Sequence, residues 1–392
     1  MTRARPRRLE HIAGIGVDRM GAIADAPGRA GARDLLRLEN LDTDVPPDPE
    51  AIERTRRAAG ADDDNSYLPF VGQTHLRNAA AAHVSRLSGV AYSGERNVVI
   101  AAGGLSGILN VLLATIEVGD EVIVTDPTYA GLVNRVRLAG SVPRFVPFVF
   151  APGAPWTLDR RALAASIGPR TRAMLLMSPA MPCGGVLDDG DWSLVAELCI
   201  EHDLLLILDA AMERLLFDGR RAIHPAGLAG MASRTITVGS ASKELRMIGW
   251  RVGWIVAPEA YLPDLAAVGM ANVVVPVGIA QDAAAIALER SPETLPAYVA
   301  ELQRRRDVLL KELAGLPVGV PAGGWSLLLR VSDFGIDGAT MSDRLLAEGI
   351  CATGMRGWGE THGDQYIRFV FANEPAARLA GAGARIRKAL RA

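Results

Sequence analysis

From about residue 97 the chain alternates short, nearly continuous apolar runs with stretches of helical length, and no other feature restricts its fold as much. NVVIAA, EVIVTD, SVPRFVPF, RAMLLMS, LLLILD, TITVGS and RVGWIVA read as strands. LSGILNVLLATI, a segment from about 130, and DWSLVAELCIEHD read as helices between them. A strand with one wet face alternates apolar and polar residues, so runs that do not alternate are buried on both faces. Such strands separated by helices build a mostly parallel α/β sheet. A helical stretch from about 292 to 315 leads away from it. From about 318 the pattern changes: GWSLLLRV and QYIRFVFA read as strands and the last segment as a helix, a second, smaller α+β domain. Residues 1 to about 60 are irregular, with TDVPPDPEAI leading into a helix, and are expected to join that small domain.

A chain of 392 residues has room for one large domain and a smaller one. Its formal net charge of −2 gives no reason to expect a nucleic acid or an anionic membrane as partner. No run reaches the roughly 18 apolar residues that span a bilayer. The arginine-rich MTRARPRR reads as a solvated tail, since no apolar run of signal-peptide length follows it. Cys183, Cys199 and Cys351 form no metal-binding spacing, and an odd count argues against a disulfide framework. The expected compartment is the reducing cytoplasm.

Basic residues are almost all arginine; the lysines are Lys243, Lys311 and Lys388. The last two sit in amphipathic patterns as surface charges. Lys243 instead follows a strand, in SASKELRMIGWRVG. In open α/β sheets ligands collect at the carboxyl ends of strands, and other chemically loaded residues fall at such ends. Gly103 and Gly104 turn a strand into a helix, which presents free N–H groups to an anion or is a plain tight turn. Tyr129 in DPTY lies just past the next strand, for stacking or simple packing. Asp209 closes LLLILD, where a buried carboxylate needs a cationic partner or caps a helix. Ser240 and Ser242 precede Lys243, and Arg251 offers a planar fork suited to phosphate. A partly buried amine has a lowered pKa and attacks aldehydes. Singly these residues are ordinary. Together they describe a ligand with a phosphate, an aldehyde, a flat ring and a basic ring nitrogen: pyridoxal 5′-phosphate.

The chain resembles the fold-type I pyridoxal-phosphate enzymes of aminotransferase class I/II over essentially its whole length. SASKELRMIGWRVG is similar to the family's S-x-S-K-x-x-x-x-x-G-x-R-x-G signature, and GGLSG, DPTY, the aspartate after LLLIL, SYLPFVGQTHLR and YIRFVFANE occur in the family's order. The resemblance implies a large domain on a mostly parallel seven-stranded sheet over residues 61–290 and a small C-terminal domain over 291–392, with 1–60 packing on the latter. It implies that Lys243 carries the cofactor as a Schiff base, Asp209 pairs with the ring nitrogen and Tyr129 stacks on the ring. Gly104, Leu105, Ser240 and Arg251 would hold the phosphate, and Gly103 and Ser242 would also bind the cofactor. Tyr67 would reach the cofactor of a neighbouring copy, which implies a homodimer with shared active sites. Arg368 would take the substrate carboxylate, and Asn40 would lie on the substrate side. An arginine inside the apolar YIRFVF needs an anion in any case.

Two positions depart from the family. Its N-P-x-N-P-T-G appears as SPAMPCG, and its D-E-x-Y as DAAM. Met181 and Met212 therefore stand where two hydrogen-bond donors to the cofactor's phenolic oxygen belong, and a thioether cannot donate. The expected reaction is transamination of an α-amino acid. The two methionines keep open β- or γ-elimination, replacement or carbon–carbon bond formation in a specialised biosynthesis. A non-catalytic sensor of an amino acid is a lesser alternative, weakened by the intact lysine. Arg356, Trp325 and Trp358 fall in loops, where exposed side chains are the ordinary expectation and a substrate side chain would be read.

Overall fold

The computed structural model describes residues 6, 9–12, 16–26 and 35–392; the expected solvated tail falls almost entirely outside them. Among the described residues the main sheet has eight strands. Their order across the sheet is Val98–Ala101, Gly253–Val256, Thr235–Ser240, Leu205–Asp209, Thr171–Met177, Glu121–Asp126, Val142–Val149 and Thr157–Leu158. Gly253–Val256 pairs antiparallel with both its neighbours, and Thr157–Leu158 pairs antiparallel with its one partner. The other strands all run the same way. The sheet thus has one strand more than the seven expected. The extra one is a two-residue hairpin partner at the edge, too short to leave an apolar signature in the sequence.

The central strands Leu205–Asp209 and Thr235–Ser240 are buried at every position, the first apolar up to Asp209 and the second burying Thr235 and Thr237 along with its apolar residues. Helices cover both faces. Gly104–Thr115 packs on one side, and Thr74–Ser88 with the start of Gly278–Glu312 packs on the other. A second sheet holds Ser326–Arg330, Tyr366–Val370 and Thr353–Gly354 in antiparallel pairing. Leu36–Arg37 pairs in parallel with Ile350–Cys351, which ties the N-terminal segment to the C-terminal region. Helix Pro49–Ala58 lies instead against Gly278–Glu312.

That long helix begins well before the expected start near 292 and runs through the expected boundary between the two domains. Its prolines made the sequence look broken. Proline at 292 removes an N–H and frees the carbonyl of Leu288, and the Ser291 hydroxyl donates to that carbonyl at 2.7 Å. Buried Ala280, Ala284, Ala287, Leu288, Ser291, Leu295, Leu302 and Leu309 keep one face against the core on both sides of the break.

Candidate active site

At one edge of the sheet the carboxyl ends of five parallel strands come together, because parallel strands with short returns put all their exits on the same side. They deliver Gly103–Leu105 after Ala101, Tyr129 after Asp126, Met181 after Met177, Asp209 itself, and Ser240–Lys243. A cavity of about 230 Å³ opens there, and Gly104, Leu105, Tyr129, Met181, Asp209, Ser240, Ser242, Lys243 and Arg251 all line it. Leu41, Met177, Ala211 and Ile248 complete the wall. A larger groove of about 590 Å³ lies elsewhere, between Thr74–Ser88 and Gly278–Glu312, and contains none of these side chains.

One end of the cavity is built for an anion. Helix Gly104–Thr115 starts there with no side-chain cap, so its first N–H groups remain available. Gly103 has φ +94° and lies against the Arg251 guanidinium, where a Cβ would collide. Arg251 also adopts a left-handed φ of 54°, and its guanidinium donates to Ser242 Oγ at 3.3 Å and to the Ile248 carbonyl at 2.9 Å. Gly253 has no room for a side chain because the Gly103–Gly104 backbone passes beside it. Two hydroxyls, bare helix N–H groups and an arginine therefore face one small cup.

Lys243 stands at the middle. Its Nζ donates to the Leu41 carbonyl at 3.1 Å and lies 4.0 Å from the centroid of the Trp325 ring. Burial lowers its pKa to about 7; Arg368 and Arg251 push the same way, and Asp42 and Asp209 oppose them. A large fraction of the amine is thus neutral near pH 7. Asp209 is buried, and burial raises its pKa to about 6, opposed by the Ala211 N–H at 3.1 Å and by Lys243. Tyr129 lies over Gly131, where a Cβ would strike its ring, and burial raises its pKa.

Arg368 is fully buried in Tyr366–Val370. Its Nη2 donates to the Glu39 carbonyl at 2.7 Å, while Nε and Nη1 are buried without a partner among the described residues. Burial lowers its pKa to about 10, which still leaves it charged at neutral pH. A buried cation with unused donors is suited to receive an anion.

The remaining sequence expectations fare differently. Asn40 is half-buried and absent from the cavity wall; its neighbour Leu41 supplies the contact, through a carbonyl that no side-chain motif advertises. Met212 is buried in the core with its methyl toward Gly324 rather than in the wall, so of the two methionines only Met181 borders the cavity. Tyr67 is 84% exposed and lies outside its own chain's cavity. Trp325 and Trp358 are buried rather than exposed, whereas Arg356 is exposed and pairs with Asp364 at 3.1 Å. Position in a loop does not set exposure here: long-range packing buries both tryptophans.

A doubly covered, mostly parallel sheet with a neutralisable lysine, a buried carboxylate and an anion cup at its strand ends defines the class, a fold-type I transferase. Comparison with known proteins narrows this: residues 34–386 match aminotransferase class I and II. The arginine–pyruvate transaminase AruH of Pseudomonas aeruginosa is 37% identical over 71% of this chain and 71% of its own length. Human kynurenine–oxoglutarate transaminase 1 is 31% identical over 78% and 76%. The structure of N-succinyldiaminopimelate aminotransferase from Mycobacterium tuberculosis superposes with a TM-score of 0.89 at 30% identity, covering 99% of this chain and 100% of that one. The chain belongs to the aminotransferase class I and II family, whose members are pyridoxal-phosphate-dependent transferases acting on amino acids. Among the described residues no helix is long and apolar enough to cross a membrane.

Proposed function

We propose that this chain moves an amino group between an α-amino acid and a 2-oxo acid, with pyridoxal 5′-phosphate held by the residues of the strand-end cavity. The single observation that carries the reading is Lys243, a half-buried lysine with its pKa lowered to about 7 in the same cavity as Asp209, Tyr129 and Arg251. The residues fit the group: the cup at Gly103, Gly104, Leu105, Ser240, Ser242 and Arg251 suits a phosphate, and the space between Tyr129 and Asp209 suits a flat basic ring.

When bound, the cofactor supplies an electron-withdrawing ring that stabilises negative charge at the amino acid's α-carbon. Lys243 would hold the cofactor through Nζ, and its amine, once free, would take the proton from the amino acid's α-carbon as a general base. Its lowered pKa suits both tasks, because a general base works best with a pKa near the working pH. Asp209 keeps a proton on the ring nitrogen, and the low-dielectric surroundings of that carboxylate strengthen the pairing. Tyr129 fixes the plane of the ring. Arg368 orients the amino acid through its carboxylate, using the two nitrogens left without partners.

A cationic substrate side chain is favoured by Asp42. Among the described residues this carboxylate accepts only from its own neighbour, the Thr43 N–H at 2.7 Å, and takes part in no ion pair. It follows Leu41 directly and acts on the charge of Lys243. Similarity to an arginine transaminase agrees with this.

The protein works as a homodimer. Tyr67 and Phe70 are exposed, and their segment packs beside Gly278, next to the exposed Val273, Val274 and Val277. Exposed apolar side chains of this kind suit a second copy of the chain, with Tyr67 reaching its cofactor. A second reading, elimination or bond-forming chemistry with the same cofactor, rests on Met181 in the wall.

Borohydride reduction of the loaded enzyme followed by peptide mapping tests the site: the pyridoxyl mass falls on Lys243. A label on Lys311 or Lys388, or none, refutes the assignment. Incubation with a panel of amino acids including L-arginine, read by mass spectrometry, yields 2-oxo acids. An unsaturated or coupled product that Met181→Asn with Met212→Tyr suppresses would establish the second reading instead.

A further inference from the structure

Arg368 is held from a direction that its own strand does not explain. Trp358, fully buried, lies with its ring 4.6 Å from the Arg368 guanidinium carbon. The same ring meets Tyr129 at 5.2 Å in a T-shaped contact. One tryptophan therefore spans the ring-stacking residue and the carboxylate receptor.

The loop that carries Trp358 belongs by sequence to the C-terminal region, but it is fastened to the main sheet. Asp126, the last residue of its strand, accepts N–H groups from Glu360 at 3.0 Å, Thr361 at 2.7 Å and His362 at 3.4 Å. The Thr128 N–H donates to the Trp358 carbonyl at 2.8 Å. His362 Nε2 lies 3.0 Å from the Phe148 carbonyl of the adjacent strand. Gly359 presses on the Asp126 carboxylate so closely that any Cβ would collide with it. A buried carboxylate accepting three backbone N–H groups fixes a loop firmly, since removing it takes the shared acceptor from three consecutive residues.

We infer that Asp126 and Trp358 are positioning residues, which hold the Arg368 guanidinium in a set plane beside Tyr129 before substrate arrives. Asp126 buckles the loop to the sheet, the loop presents the indole face, and that face limits the guanidinium to one orientation. Its unpaired Nε and Nη1 are thereby kept available for the incoming carboxylate. Amino acid and 2-oxo acid share that carboxylate, so both halves of the reaction depend on the buckle equally. This inference rests on the reading of Arg368 as the carboxylate receptor.

The test uses cofactor-loaded enzyme and propanoate, a carboxylate with no amino group to react, small enough for the cavity. Calorimetric titration gives its Kd for wild type, Arg368→Leu, Asp126→Ala, Trp358→Leu and Trp358→Phe. Steady-state kinetics give kcat and both substrate KM values. Asp126→Ala and Trp358→Leu are expected to raise the propanoate Kd and both KM values about tenfold or more, with kcat changed less than threefold and cofactor affinity unchanged. Trp358→Phe, which keeps an aromatic face, recovers most of the loss. Unchanged Kd and KM values, or a parallel fall in cofactor affinity, would overturn the positioning role. Should Asp126→Ala fail to fold, Asp126→Asn, whose amide oxygen still accepts, is expected to give an intermediate Kd, and a wild-type value would count against the idea. If wild type and Arg368→Leu bind propanoate alike, or neither binds it, the reading of Arg368 fails instead.

Discussion

Glu244 offers the sharpest perturbation of the scaffold behind the active site. It follows Lys243 directly and is buried. Its Oε1 accepts the Arg214 backbone N–H at 2.6 Å, and its Oε2 takes Arg214 Nε at 2.7 Å, with Nη2 also 2.6 Å away. Arg214 lies on the turn that follows Asp209. The pair therefore clamps the Asp209 turn to the Lys243 turn. Its side chains are only 14% and 6% exposed, so solvent screens it little. Glu244→Ala leaves a nearly buried guanidinium without its anion, and breaking such a pair costs about 3–5 kcal/mol. At roughly 2 °C per kcal/mol for a chain this large, the melting temperature falls on the order of 6–10 °C. Replacing both partners by apolar residues, as Glu244→Leu with Arg214→Met, leaves no orphaned charge and restores most of the loss. Calorimetry on cofactor-loaded protein reads both numbers. A single variant within about 1 kcal/mol of wild type, or a double variant no better than the single, would refute the clamp.

Three further outcomes follow from the same geometry. Uptake of pyridoxal phosphate by cofactor-free protein requires neutral Lys243, so its initial rate rises with pH through about 7 rather than near the ordinary lysine value of 10.5, as stopped-flow absorbance would show. Burial holds the His83 pKa down to about 3, so unfolded protein binds a proton there that folded protein refuses. That stability is complete above about pH 6.5 and is lost toward pH 3, by up to roughly 1.4 kcal/mol per pH unit; in denaturant titrations across this range, His83→Gln should flatten the dependence. Tyr67→Phe weakens cofactor binding by about 1.5–3 kcal/mol through loss of one charge-assisted hydrogen bond; sedimentation shows a dimer, and a fully active monomer would contradict the shared site.

The sequence by itself determined the sheet and most of the strand-end cavity, because both are written in local patterns. A strand buried on both faces is largely apolar, and a residue that ends such a strand sits at the sheet edge whatever the rest of the chain does. Lys243, Asp209, Tyr129, Ser240 and Gly104 are legible for that reason, and each lines the cavity. The long helix was only half legible, because proline breaks the helical pattern while Ser291 repairs the hydrogen bond in space. What only the tertiary structure decided are the contacts between distant segments. Leu41 reaches Lys243 through a backbone carbonyl, which every residue possesses and none signals. Met212 and Met181 occupy equivalent motif positions, yet one points into the core and the other into the cavity. Trp358 looks like any loop residue until Asp126, more than two hundred positions earlier, draws its loop onto the sheet. Periodicity and strand ends are properties of neighbours in the chain, whereas burial of a loop is a property of what folds over it.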